Sequence, residues 1–480
     1  MATKPIETAE SSSQSIGLVR GLGASAAAAI VVGTMIGTGI FLKPSEMAAE
    51  GKSASVVFAA WIVGGLLSLF GALSYAELGA SIPEAGGEYA YLRRGFGPAW
   101  GFLFGWMHSI VGRPASAAAI AAGLLRFWAF LTPAVAAPLY TFHFQLPFLA
   151  QGQSDFVFTW AQPLAVGALI LMTFINYLGV RFGGEVQVAL TSLKVFSVLA
   201  IIALGFALAH GGSANFKPIL PISGGWSTLG GFLAALAAAL WAYDGWEDLN
   251  LVGSEVSDPQ KNIPRSLVGG VLFVAIVYIF FSAVCFYALP FGAVAASQHV
   301  ASDVVASFAG HGAALWITLA MIVSALGTLN SSVLSGARVD YAMARDGLFF
   351  RIAAKVHPKF RTPSSALVFQ CCLASIMALS GTFEDLTSLF IFATWIFYGL
   401  SVVAMFRLRR LEPDLPRPYR AWGYPVLPAF FIAGALALTV SLWIARPLRS
   451  TIGLGLILLG LVFYRHWQGK LSKQEYTPIS

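Results

Sequence analysis

Gly33-Thr34-Met35-Ile36-Gly37-Thr38-Gly39-Ile40-Phe41 lies inside the first long apolar run of this 480-residue chain, and Ala242-Tyr243-Asp244-Gly245-Trp246 interrupts a later one. A helix that crosses lipid satisfies its own backbone, so a break at membrane depth is tolerated only where it faces protein or a watery cavity. Two such breaks in corresponding spans point to a binding site near the membrane midplane.

The rest of the chain agrees with that reading. With 57% hydrophobic and 11% charged residues and a mean hydropathy of +0.75, it has too little polar surface to cover a water-soluble fold of this length. It reads as an integral membrane protein. Twelve charge-free windows recur, from Gly21 to Leu42 at the start to Ser450 to Tyr464 at the end. Most reach the roughly 20 residues that a helix needs to cross the hydrocarbon core. An even number of spans puts both termini on one side. That side carries 20 of the Lys and Arg residues, among them Arg93, Lys261, Arg351 and Arg409, and the opposite loops carry six. The richer side is expected to be cytoplasmic, in a cell (inner) membrane. The net charge of +7 is therefore a topological signal, and nucleic-acid binding is excluded as its reading.

Loops are short except near 127–158 and 290–303. The breaks in spans one and six lie five spans apart, the spacing of two inverted five-helix repeats followed by two extra helices. The expected organisation is all-α. A disordered tail at 1–15 precedes one transmembrane domain at 16–466, with repeats at 16–208 and 228–406 and added helices at 425–466, and a second tail occupies 467–480. The first fifteen residues are polar and Ser-rich with no apolar core, which predicts no removable signal peptide. Cys285, Cys371 and Cys372 fall in predicted spans and read as packing residues, offering neither a disulfide framework nor a metal site.

The chemistry concentrates at the breaks. If the first helix opens near Thr38, the new N-terminus offers N–H groups and a positive dipole end to an anion such as a carboxylate. Gly33 and Gly37 also form a GxxxG pair, which serves close helix packing; both readings stand. Asp244 and Glu247 form a D-x-x-E pattern resembling a capping box. A helix start there implies that the preceding half-helix has ended, freeing carbonyls near Trp241 and Ala242 for an ammonium group. Asp244 serves either as a cap or as a partner for the substrate's positive charge, and Trp241 and Trp246 as pocket walls or interfacial anchors.

Three basic residues, Arg113, Lys194 and Arg338, lie within spans. Lys194, nine residues beyond Glu185, sits roughly 14 Å along its helix, near mid-membrane, and is expected to be a fixed cation bridging helices. Arg113, followed by Pro114, is expected to bond carbonyls freed nearby, a structural role. Arg338 and Asp340 are expected to pair locally or as a gate. His108 lies well inside a span, but no catalytic or metal-ligand cluster assembles around it, so no enzyme, cofactor or metal is expected.

These residues resemble the amino acid, polyamine and organocation transporters, and within them the L-type amino acid transporters in a bacterial-type form. The resemblance runs over nearly the whole chain, through the two break motifs, Arg113-Pro114, Leu249-Asn250, Glu255, Asn262-Ile263-Pro264, Ala344 to Leu348 and His357 to Pro363. It implies a LeuT-like fold with alternating access. It also implies a substrate carboxylate at the backbone of Gly37, Thr38 and Gly39, and an ammonium group at carbonyls near Met35, Trp241, Ala242 and Asp244. Lys194 matches the lysine that replaces sodium in such transporters, which implies sodium-independent transport. Asp244 and Glu247 depart from the small residue and Asn of many L-type members. The animal members join a heavy chain through a cysteine between spans three and four, and residues 127–158 contain none, so no disulfide-linked heavy chain is expected.

The expectation is thus a sodium-independent exchanger of neutral amino acids. A proton-coupled amino acid or amine symporter is the nearest alternative. A membrane receptor or intramembrane enzyme is the alternative of another class.

Overall fold

A computed structural model describes residues 17–144, 154–220, 225–380, 383–445 and 447–475; the expected tail at 1–15 lies outside them. In chain order the helices are α1 (Ala24–Met35), α2 (Gly39–Gly51), α3 (Ala54–Ser81), α4 (Glu88–Phe96), α5 (Pro98–Trp106), α6 (Arg113–Leu131), α7 (Ala161–Tyr177), α8 (Val180–Leu208), α9 (Trp226–Ala242), α10 (Asp248–Leu251), α11 (Pro259–Ala288), α12 (Phe291–Ala296), α13 (Val300–Arg345), α14 (Ser364–Ser380), α15 (Phe383–Leu411), α16 (Val426–Ala445) and α17 (Pro447–Glu475).

Both breaks form where they were expected. α1 is Ala- and Val-rich and ends at Met35, where Ile36 leaves helical geometry (φ −75°, ψ 75°). α2 restarts at Gly39 behind Thr38. α9 ends at Ala242, and the chain turns through Tyr243–Glu247 before α10. Gly245 adopts φ +100° in that turn, a conformation that a side chain disfavours.

Eight segments among the described residues are long and apolar enough to cross a membrane, and α7, α9, α14 and Val300–Gly310 are shorter apolar helices. α13 is kinked at Gly310 (φ +78°), inside the single window expected from Val304 to Ala337. Large apolar side chains such as Phe196, Ile276 and Ile444 remain exposed; on a water-soluble protein such a surface is a liability, whereas lipid tails cover it.

The all-α expectation needs one correction. Pro138–Phe144 (β1) pairs antiparallel with Ser154–Thr159 (β2) in a two-stranded sheet. The loop between spans three and four is rich in aromatic and Thr residues, which favour extended backbone. At the other end, α17 continues to Glu475, so the segment expected as a tail from 467 starts as helix.

The core encloses the breaks. α1 is packed by α8, α11 and α13, and its approach to α8 needs Gly33: a Cβ there would stand 2.2 Å from Thr191 Oγ1. The packing reading of Gly33 therefore holds alongside the break, because a helix that ends next to another must first come close to it.

Candidate functional site

The orphan carbonyls left by the first break are taken up by two side chains. Lys194, fully buried on α8, donates to Gly33 O (2.7 Å), Ile36 O (3.0 Å) and, on α13, Ser324 O (3.0 Å), with Thr328 Oγ1 at 3.3 Å. Its ammonium thus fills the role of the next turn of helix, and the expected cation bridging helices is present in this geometry. The Tyr278 hydroxyl of α11 stands between Met35 O and Ala242 O, the latter at 2.8 Å. One hydroxyl therefore joins the ends of the two broken half-helices.

Between the breaks lies a cavity of about 60 Å³. Met35, Gly37, Thr38, Gly39, Trp241, Ala242 and Asp244 all line it, joined by Arg113, Glu247, Thr328 and Ser332. Trp246 does not: it is buried against Tyr75 (ring centroids 4.8 Å apart), Tyr398 and Phe431, behind the turn. Lys194 meets the cavity only through Thr328. Three backbone groups expected to be open already have neighbours, since the Gly37 N–H donates to Met35 O at 2.8 Å and the Met35 and Ala242 carbonyls face Tyr278.

Three side-chain readings are corrected. The D-x-x-E pattern forms no capping box: α10 starts at Asp248 without a side-chain cap. Asp244 instead accepts from the Tyr398 hydroxyl (2.9 Å), and Glu247 from the Gly245 N–H (3.2 Å). The turn is too long to bring the Asp244 carboxylate onto the first N–H groups of α10. Among the described residues, Arg113 bonds no freed carbonyl. Both of its terminal nitrogens face the Asp248 carboxylate, Nη1 also lies 3.3 Å from Ser332 Oγ, and Nε donates to His108 Nε2 at 3.2 Å. A six-residue π-helix, Met107–Gly112, precedes Arg113 and accommodates the register. Arg338 and Asp340 do not pair. Two residues apart on a helix, they point to different faces, and Arg338 pairs with Glu255 (2.7 Å) while Asp340 accepts from Gln370 (2.8 Å).

The two ends of the cavity differ. On the Lys- and Arg-rich side, the fully buried Arg338–Glu255 pair joins α13 to the segment after α10. The Leu22 and Glu255–Ser257 backbones bond there, and Arg93 and Tyr89 both donate to Asp346. On the opposite side a vestibule of about 790 Å³ reaches Trp241, which lines both spaces. Lys43 sits 4.7 Å above the Trp241 ring and 2.5 Å from Glu46. Trp241 is therefore the partition between vestibule and cavity. Glu88, on α4 outside the apolar spans, is fully buried beneath this site, and burial, aided by the Asp248 charge, raises its carboxyl to about 8.

Sequence reasoning missed Asp248, Tyr278 and Tyr398. A signal existed for the polar wall of α13, since Ser324, Thr328, Ser331, Ser332 and Ser335 recur at helical spacing in an otherwise apolar window. The Thr34 hydroxyl bonds Ser331 at 2.5 Å.

Residues 22–463 match the family described as amino acid permease. The serine/threonine exchanger SteT of Bacillus subtilis (strain 168) is 33% identical over 456 residues, covering 93% of this chain and 97% of the relative. The b(0,+)-type amino acid transporter 1 of Mus musculus is 31% identical over 460 residues, covering 94% and 87%. The large neutral amino acids transporter small subunit 2 of the same species is 30% identical over 478 residues, covering 98% and 85%.

Proposed function

We propose that this chain, which belongs to the amino acid permease family, exchanges amino acids across a cell membrane independently of sodium, by alternating access. The observation that carries the reading is the meeting of two broken helices across one cavity, with Lys194 on the carbonyls of the first. A zwitterion suits that geometry. Its carboxylate would meet the start of α2 at Thr38 and Gly39, where unsatisfied N–H groups and the helix dipole favour an anion. Its ammonium group would meet the end of α9 at Trp241 and Ala242 or the Asp244 carboxylate. Lys194 supplies a built-in positive charge where a co-transported cation would otherwise be needed.

The same reading takes the architecture as a LeuT-like five-plus-five repeat with two added helices, twelve spans in all, and both termini in the cytoplasm of an inner membrane. The count of Lys and Arg supports the orientation. The absence of Cys from 127–158 supports operation without a disulfide-linked heavy chain. Exchange of neutral amino acids is favoured because the relatives named above include a serine/threonine exchanger. A second reading, coupling to a proton, is supported by the gathering of Asp244, Glu247 and Asp248 around the single Arg113.

The test is uptake of a labelled neutral amino acid panel into proteoliposomes in sodium-free buffer, with and without amino acid inside. Uptake that requires internal amino acid supports exchange. Uptake into empty vesicles driven by an inward proton gradient replaces it with symport, and strict sodium dependence would overturn both.

A further inference from the structure

Asp340 is a carboxylate in the wrong place for a structural ion pair. It lies on α13, fully buried, and among the described residues it has no salt bridge. The nearby cations are committed elsewhere. Arg338, on its own helix, turns to Glu255 and Leu334 O, and Arg113, on α6, turns to Asp248, His108 and Ser332. What faces Asp340 is neutral: Gln370 Nε2 of α14 gives a hydrogen bond to Asp340 Oδ2 (2.8 Å) and another to Ser109 O (3.2 Å), and the Ser109 hydroxyl lies beside the carboxylate. Those two acceptors fix the orientation of the Gln370 amide. They leave three buried oxygens together without a partner: Asp340 Oδ1, Gln370 Oε1 and Ser109 Oγ.

Buried acceptors without donors are costly, and a buried carboxylate without a cation more so. The Ser109 hydroxyl carries one hydrogen and can serve only one of the other two oxygens, so the group is one donor short. Neither the central cavity, the outer vestibule nor the cavity of about 480 Å³ beside Asp346 includes Asp340, Gln370 or Ser109 in its lining. A group of three oxygens also falls short of the six or so that a hard metal ion collects. A proton needs neither a cavity nor a shell. On Oδ1 it converts an acceptor into a donor and removes the charge.

We propose that Asp340 is a proton-binding site, with Gln370 and Ser109 as the oxygens that receive the bound proton. The site lies on the helix that also carries the cavity residues Thr328 and Ser332 and the cytoplasm-side Arg338, so gain or loss of the proton acts on the element common to both. The other titratable groups on elements packed against α13 include His108 and Arg113 beside Ser109, Arg126 on α6, Asp248 on α10, Glu88, Tyr89, Tyr91, Arg93 and Arg94 on α4, Lys194, Arg181 and Glu185 on α8, Lys261, Arg265 and Tyr278 on α11, Lys43, Glu46 and Glu50 on α2, Cys371 and Cys372 on α14, Arg351 between α13 and α14, and Tyr177 on α7. Tyr341, Arg345 and Asp346 lie on α13 itself. Asp340→Asn separates Asp340 from all of these, because an amide reproduces the protonated form and nothing else is changed.

The experiment is thermal unfolding of the purified full chain in lipid nanodiscs from mildly acidic to mildly alkaline pH, for the wild type and Asp340→Asn. The wild type is expected to lose stability as pH rises, relative to the variant, by up to about tenfold in the folded-to-unfolded ratio per pH unit, the linkage of one proton. Identical pH slopes would overturn the site. If Asp340→Asn does not fold, Asp340→Leu gives the same comparison. Exchange in proteoliposomes, which rests on the proposed function, is expected to lose part of its pH dependence in Asp340→Asn. A wild type that exchanges no amino acid defeats the functional reading, while the unfolding slopes still decide the proton site.

Discussion

The Lys194 ammonium donates to the Gly33 carbonyl at 2.7 Å, across the contact between α8 and α1. One side chain thereby closes the end of the broken helix and ties it to α13 through Ser324. Lys194→Ala is expected to leave the Gly33 and Ile36 carbonyls without their donor, at a cost of about 1–3 kcal/mol for each buried group. Exchange is expected to be abolished, while substrate binding, read as a ligand-induced shift in Tm, falls far less. Unchanged flux in a correctly inserted variant would remove Lys194 from the coupling mechanism.

Arg113 and Asp248 form a pair with both partners buried. Removing one partner strands the other. Asp248→Leu is therefore expected to destabilise the chain by about 3–5 kcal/mol, and the double variant Arg113→Met/Asp248→Leu to recover most of that loss. Denaturant or thermal unfolding of the single and double variants checks this. Additive losses would show that the two charges do not depend on each other.

Gly245 combines φ +100° with a close neighbour, since a Cβ there would stand 2.3 Å from Thr34 Cγ2. Gly245→Ala is expected to cost about 1–3 kcal/mol from backbone strain, with overpacking against α1 in addition. Adding Thr34→Ser removes the methyl group but not the strain, so part of the Tm loss is expected to return. Full recovery would place the whole cost in the steric contact.

Burial holds the Glu88 carboxyl at about 8, above its ordinary 4.5. Between those two values the unfolded chain releases this proton and the folded chain keeps it. The Glu88 contribution to stability is therefore fully present below the lower value and lost as pH rises toward the upper one. Glu88→Gln is expected to flatten the fall of Tm across that window, and a slope equal to that of the wild type would contradict it.

Some of the site was legible along the chain because its signals are local. Glycines clustered inside an apolar run mark Ile36–Thr38 as a break without reference to any other segment. A lysine far from both ends of its span, as Lys194 is, must find partners inside the protein, since lipid offers none. The Asp244–Glu247 spacing misled for the complementary reason: the pattern is local, but Tyr398, 154 residues away, takes the Asp244 carboxylate and outcompetes the cap.

The apolar composition and the recurrence of its runs thus determined a helical membrane protein with two interrupted spans and buried cations. Tertiary structure alone decided which charges meet. Arg113 finds Asp248 across 135 positions and Arg338 finds Glu255 across 83, whereas Arg338 and Asp340, two positions apart, diverge. In a low-dielectric interior a charge is held by whichever partner the packing of helices brings within reach, and spacing along the chain carries no record of that.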